Sequence, residues 1–86
     1  MKSYKVKINR KAVSYLRRLE KRQQERVKRK LSLLQEGKFE ELKVIKMAGE
    51  WEGYMRFRIG KYRVIFRLEK DTIYVDYIGA RGDVYK

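Results

Sequence analysis

The sequence predicts an α+β fold: a short strand, a helical hairpin, then a mainly antiparallel sheet, in the order β-α-α-β-β-β-β. Three observations predict it. Tyr4, Val6 and Ile8 alternate with Lys5 and Lys7, the period of a half-buried strand. Ala12, Leu16 and Leu19, then Val27, Leu31 and Leu34, recur at helical spacing. From Leu42 onward the period returns to two and is interrupted by a glycine-containing loop and two short turns.

The first strand covers Tyr4 to Ile8, and Asn9 is placed to cap the helix that follows. The apolar stripes alone permit one helix from Arg10 to Glu36, with Gly37 as its stop. Such a helix is about 40 Å long, whereas a compact chain of this length has a radius of gyration of about 12 Å. A break around Arg22-Gln23 is therefore expected. The segment LKVIK, Leu42 to Lys46, reads as a strand, and the loop MAGEWEG follows with the single Trp of the chain.

Three further strands are predicted over Tyr54–Ile59, Tyr62–Glu69 and Thr72–Gly79. Gly60-Lys61 suits a two-residue turn with glycine first, as a type II′ turn favours. That turn pairs Ile59 with Tyr62, Phe57 with Val64 and Met55 with Phe66 on an apolar face. The opposite face pairs Arg58 with Arg63, Arg56 with Ile65 and Tyr54 with Arg67. A turn at Lys70-Asp71 pairs Leu68 with Ile73, Phe66 with Val75 and Val64 with Tyr77. Both turns select the same core face, which the helices are expected to cover. The other face holds Tyr54, Arg56, Arg58, Arg63, Ile65, Arg67, Tyr74, Asp76 and Ile78.

The 86 residues suggest one domain with a small core. No cysteine is present, which excludes thiol chemistry, and the opening MKSYKVKINRK has no apolar signal core, so a cytoplasmic protein without membrane association is expected. Twenty-four Lys and Arg stand against eleven Asp and Glu, a net charge of +13. Such a balance points to an anionic partner, with nucleic acid first. Between Arg10 and Lys30 ten basic residues face only Glu20 and Glu25. Arg18, Arg22, Arg26, Lys28 and Arg29 on those helices are candidate RNA contacts. The plain alternative is a solvated outer helix face.

Like charges opposite each other on a sheet, as in Arg58–Arg63, cost roughly 0.2 to 1 kcal/mol. A phosphate between them would relieve the repulsion, because guanidinium presents a planar fork of donors and stays charged. Arg81, after the last strand, returns toward the same turn. Tyr54 offers a π-face to a base, and Arg67 and Lys61 add charge around the patch. Asp76 reads as a structural counter-charge diagonal to Arg63, and Trp51 as a packing residue under its loop.

The run YMRFRIGKYRVIF, followed by IYVDYIGARGDVYK, resembles the C-terminal part of RelE-type toxins of the RelE/ParE superfamily, the archaeal RelE proteins in particular. The order of elements is similar over nearly the whole chain. The resemblance implies a type II toxin, a ribosome-dependent endoribonuclease that cuts mRNA in the A site and is silenced by an acidic, RelB-like antitoxin. It implies that Arg63 stabilises the scissile phosphate, that Arg81 is the second catalytic arginine, and that Tyr85 orients the message or carries a proton. Arg56 falls where such enzymes have a lysine, and Arg58 also matches a basic position. The implied chemistry is attack of a 2′-hydroxyl on the adjacent phosphate, with no metal or other cofactor.

Two departures stand out. Many relatives have His or Lys where this chain has Ala80, and the chain has no histidine. Arg56 in place of lysine is a poor general base, since guanidinium holds its proton. Within the superfamily, ParE-type toxins poison DNA gyrase instead of cutting RNA. A basic module that binds RNA without cutting it is the other alternative.

Overall fold

A computed structural model describes residues 3–80. Its elements are β1 (Lys5–Ile8), α1 (Arg10–Arg17), α2 (Lys21–Gln35), the one-turn helix α3 (Phe39–Leu42), β2 (Ile45–Lys46), a 3-10 turn (Gly49–Trp51), β3 (Met55–Ile59), β4 (Tyr62–Glu69) and β5 (Thr72–Ala80). The strands form one five-stranded sheet in the order β1-β5-β4-β3-β2, with β1 parallel to β5 and the other pairs antiparallel. The α+β fold class expected from the sequence is present, and the expected chain order of elements holds with α3 added between α2 and β2.

The helices lie on one face of the sheet. Ala12 of α1 and Val27, Leu31 and Leu34 of α2 pack with Phe57, Ile59, Val64, Phe66, Ile73 and Val75. Helix α1 opens as Asn9 suggests, with the Asn9 side chain accepting a hydrogen bond from the Lys11 amide at 2.7 Å. Helix α2 closes at Gly37, whose φ of 77° suits glycine. There the Gly37 amide donates to Leu34 and the Lys38 amide to Leu33, the paired bonds of a Schellman cap.

Three expectations need correction. The helical hairpin breaks at Arg18 to Glu20, not at Arg22-Gln23. The reason is a cap: Gln24 Nε2 donates to the Arg17 and Leu19 carbonyls at 3.0 and 2.9 Å, satisfying the end of α1 from the first turn of α2. An unbroken helix would also exceed the longest axis of the molecule, 31 Å. Next, LKVIK is mostly not strand. Leu42 ends α3 and is buried, Lys43 turns the chain at φ 58°, and only Ile45 and Lys46 pair with β3.

The third correction concerns register. The first hairpin has every predicted pair from Ile59↔Tyr62 to Met55↔Phe66. In the second, Leu68↔Ile73 and Phe66↔Val75 hold, but Val64 meets Ile78 instead of Tyr77. The ladder shifts between Ile65 and Phe66, where Val75, Asp76 and Tyr77 span what two residues of β4 span. This β-bulge exchanges the two faces beyond it. Ile78 therefore enters the core at 3% exposure, and Tyr77 joins the arginine face opposite Ile65.

Candidate functional site

The sheet face away from the helices is divided along its length by charge. At one end Arg67 Nε donates to Asp76 Oδ2 at 3.1 Å, and Arg67 Nη1 pairs with Glu69 Oε2 at 2.9 Å. The guanidinium also stacks over Tyr74, 4.3 Å from the ring centroid. The hydrogen bond to Asp76 is the main cause that holds Arg67 above the usual arginine pKa. Tyr54 belongs to the same end: burial first, then its hydrogen bond to Asp76, pushes its hydroxyl above the ordinary tyrosine pKa. Its ring meets Trp51 edge-on at 5.3 Å. So Asp76 is a structural counter-charge, but its partner is Arg67. The bulge turns it there.

The other end carries the cations without such acids. Arg58 and Arg63 face each other across β3 and β4, as the turn predicts. Arg58 is exposed, and Arg56 is half-buried opposite both Ile65 and Ile45. Neither forms an ion pair among the described residues. Arg63 differs from both, with 6% of its surface exposed; it is the one buried charged residue described. It pairs with Gly79, beside which lies Tyr77. A Cβ built at Gly79 would collide with the Tyr77 hydroxyl and ring. Glycine there lets the tyrosine lie flat along the strand next to Arg63.

Where β2 stops pairing beyond Ile45↔Arg56, a cleft of about 320 Å³ opens, lined by Leu42, Lys43, Ile45, Arg56, Phe57 and Arg58. Among the described residues, three cations and no carboxylate border it. Ile45, 51% exposed, supplies an apolar rim. Lys43 was not among the sequence candidates, because its segment reads as continuous strand. Tyr77 was missed for a similar reason: the alternation without a bulge assigns it to the core. Its signal is the pair Tyr77-Ile78, where either residue suits the apolar face.

The remaining candidates are spread more widely. Arg18 closes α1, and Arg22, Arg26, Lys28 and Arg29 are exposed on α2. Lys61 sits in the β3–β4 turn with its ammonium 5.6 Å from the centroid of Tyr62. Arg81 and Tyr85 lie outside the described residues. Chemically, the cation-rich end offers a buried guanidinium beside a half-buried and an exposed one, which suits a phosphodiester backbone better than a single small anion.

Comparison with known proteins gives a consistent picture. The family model described as the ParE toxin of the type II toxin–antitoxin system, parDE, matches residues 6–85. The RelE of an archaeal RelE–RelB complex from Pyrococcus horikoshii is 30% identical, with 94% of this chain and 98% of that one covered and a TM-score of 0.79. The isolated RelE toxin of E. coli superposes with a TM-score of 0.70 at 22% identity, covering 96% of this chain and 92% of that one. YafQ of E. coli superposes at 0.74 with 15% identity, covering 96% and 99%. The latter two speak for the fold alone. No curated protein matches the chain.

Proposed function

The chain belongs to the ParE-type toxin family of type II toxin–antitoxin systems, with RelE-type toxins among its structural relatives, and on that premise we propose that it is a ribosome-dependent endoribonuclease that cuts mRNA in the A site. One observation carries the reading. The only buried charged residue described is Arg63, and it lies at the carboxylate-poor end of the sheet face with Arg56 and Arg58. A buried guanidinium is held in place before substrate arrives and acts through a low-dielectric environment. That is the arrangement that stabilises charge developing on a phosphoryl group.

In this mechanism the 2′-hydroxyl attacks the adjacent phosphate, forming a 2′,3′-cyclic phosphate as the bond to the 5′-oxygen breaks. The 2′-hydroxyl gives up its proton as it attacks, and the 5′-oxygen takes one up and leaves as a hydroxyl. Arg63 and Arg81 stabilise the charge on the phosphate. Arg56, Arg58, Lys61 and Lys43 hold the flanking backbone, and Tyr85 carries a proton. Arg67 and Tyr54 stand at the edge of this RNA-binding set, where Asp76 engages both and Glu69 also pairs with Arg67. The basic face of α1 and α2, with Arg18, Arg22, Lys28 and Arg29, grips ribosomal RNA.

The partner that silences the toxin is an acidic, RelB-like antitoxin. The relatives from Pyrococcus horikoshii and Methanococcus jannaschii are both complexes with RelB, and a net charge of +13 favours an acidic segment. The described helices include none long and apolar enough to cross a membrane.

Primer extension on an mRNA held in ribosomes, beside the same mRNA free in solution, tests the reading. Cuts are expected only in the ribosome sample. The match to a ParE model favours one second reading, a DNA gyrase poison. Absence of cuts in both samples, with inhibition in a supercoiling assay, would establish that second reading instead.

A further inference from the structure

The β3–β4 turn is touched from the helix side. A Cβ built at Gly60 would meet Arg26 Nη1 at 3.0 Å, its guanidinium carbon at 3.4 Å and Nη2 at 3.5 Å. The similar distances mean that the Arg26 guanidinium lies over the turn, in space that any other residue at position 60 would partly fill. Gly60 has φ 60°, so the turn itself also favours glycine. Arg26 has no carboxylate partner among the described residues, and it is exposed. Lys61 is the next residue of the turn. Arg58 is two residues before Gly60, roughly 7 Å along a strand.

The turn itself carries a basic and an aromatic residue. Lys61 lies over Tyr62, which meets Tyr15 of α1 edge-on at 6.2 Å. Arg22 and Arg29 flank Arg26 by about one helical turn in each direction. Holding an unpaired guanidinium against a turn that already carries Lys61 raises electrostatic repulsion. An anion that bridges the helix and the turn removes it.

We propose that Arg26 is a substrate-positioning residue. It belongs to the hairpin tip and holds the RNA phosphate next along the strand from the one at Arg63, whereas its neighbours on α2 face ribosomal RNA. This rests on the RNA-cleaving reading. It assigns one helix residue to the message and makes the space above Gly60 part of the site. Single-stranded RNA is favoured over an acidic peptide, because the planar fork over an open turn suits a backbone phosphate and the neighbouring tyrosines suit bases.

The test is the salt dependence of binding to a single-stranded RNA decamer with 2′-O-methyl groups, which the proposed chemistry cannot cut. Each phosphate contact contributes about 0.7 to the slope of log affinity against log salt for single strands. Arg26→Ala is expected to lower the slope by about that amount, losing about 2.5-fold less affinity between 50 and 200 mM salt than the native chain loses. Gly60→Asn adds a Cβ while tolerating a positive φ, so it should displace Arg26 and lower the slope equally. The double variant should fall no further than either single one, and Arg26→Lys should keep the slope. An unchanged slope in Arg26→Ala, or additive losses in the double variant, would overturn the proposal. So would loss of polyglutamate binding with RNA binding intact, which would assign the turn to an acidic protein. If Gly60→Asn unfolds, Arg26→Ala and Arg26→Lys still decide. Because the decamer is not cut, a native chain that fails to cleave message refutes the nuclease reading while leaving this measurement standing.

Discussion

At the scale of single residues, position decides what each arginine can do. Arg58, Arg63 and Arg67 belong to one hairpin face, yet Arg67 is fixed by two carboxylates, Arg63 is buried and Arg58 is open. The Arg58–Arg63 pairing was legible because a two-residue turn at Gly60-Lys61 leaves only one register. The partner of Asp76 was not, because an extra residue in β5 gives no signal in an apolar alternation where Tyr77 and Ile78 are both acceptable inward. A separate residue-scale prediction concerns Lys70, which enters the β4–β5 turn at φ 56°. Left-handed backbone costs an L-residue about 1–2 kcal/mol, and glycine returns about 0.5–1 kcal/mol of that as lost chain entropy. Lys70→Gly should therefore raise stability by about 0.5–1 kcal/mol in urea unfolding. A decrease would mean that the Lys70 side chain contributes more than the strain it bears.

At the scale of elements, the helices were legible in their stripes but not in their break. Leu16, Leu19, Gln23 and Val27 continue a helical spacing across the junction, so periodicity gives no boundary there. What ends α1 is a tertiary act, the Gln24 amide donating to two carbonyls of the preceding helix. Gln24→Ala should cost about 1 kcal/mol, the net worth of such bonds. The Arg18 and Leu19 amides, which close the last turn of α1, should exchange faster with deuterium while Val27 keeps its protection. Equal acceleration at Val27 would show that the helices open together and that Gln24 is not a local cap. The β2 segment teaches a related lesson. LKVIK satisfies the strand pattern, but two residues suffice to cover the edge at Arg56 and Met55, and the early exit of the chain at Lys43 opens the cleft beside Arg56 and Arg58.

At the scale of the whole molecule, the sheet separates two tasks. One face is sealed by α1 and α2 over a core from Ala12 to Ile78; the other is polarised, neutralised around Arg67 and cationic around Arg63. The two turns that fixed the core face also fixed which arginines face away from it, so the placement of Arg56, Arg58 and Arg63 on one face was legible in the sequence. The burial of Arg63 was not, since the alternation of β5 gives no signal of the bulge that sets Tyr77 beside Gly79, the partner of Arg63. That burial is also what separates a catalytic arginine from a passive phosphate contact. The decisive measurement is the single-turnover rate of cleavage of ribosome-bound message by the native chain and by Arg63→Ala, with ribosome affinity measured in parallel. Loss of a transition-state donor should slow cleavage by about a hundredfold to a thousandfold while affinity changes little. A rate that falls only as far as the affinity does, or does not fall, would contradict the assignment of Arg63 to the chemical step.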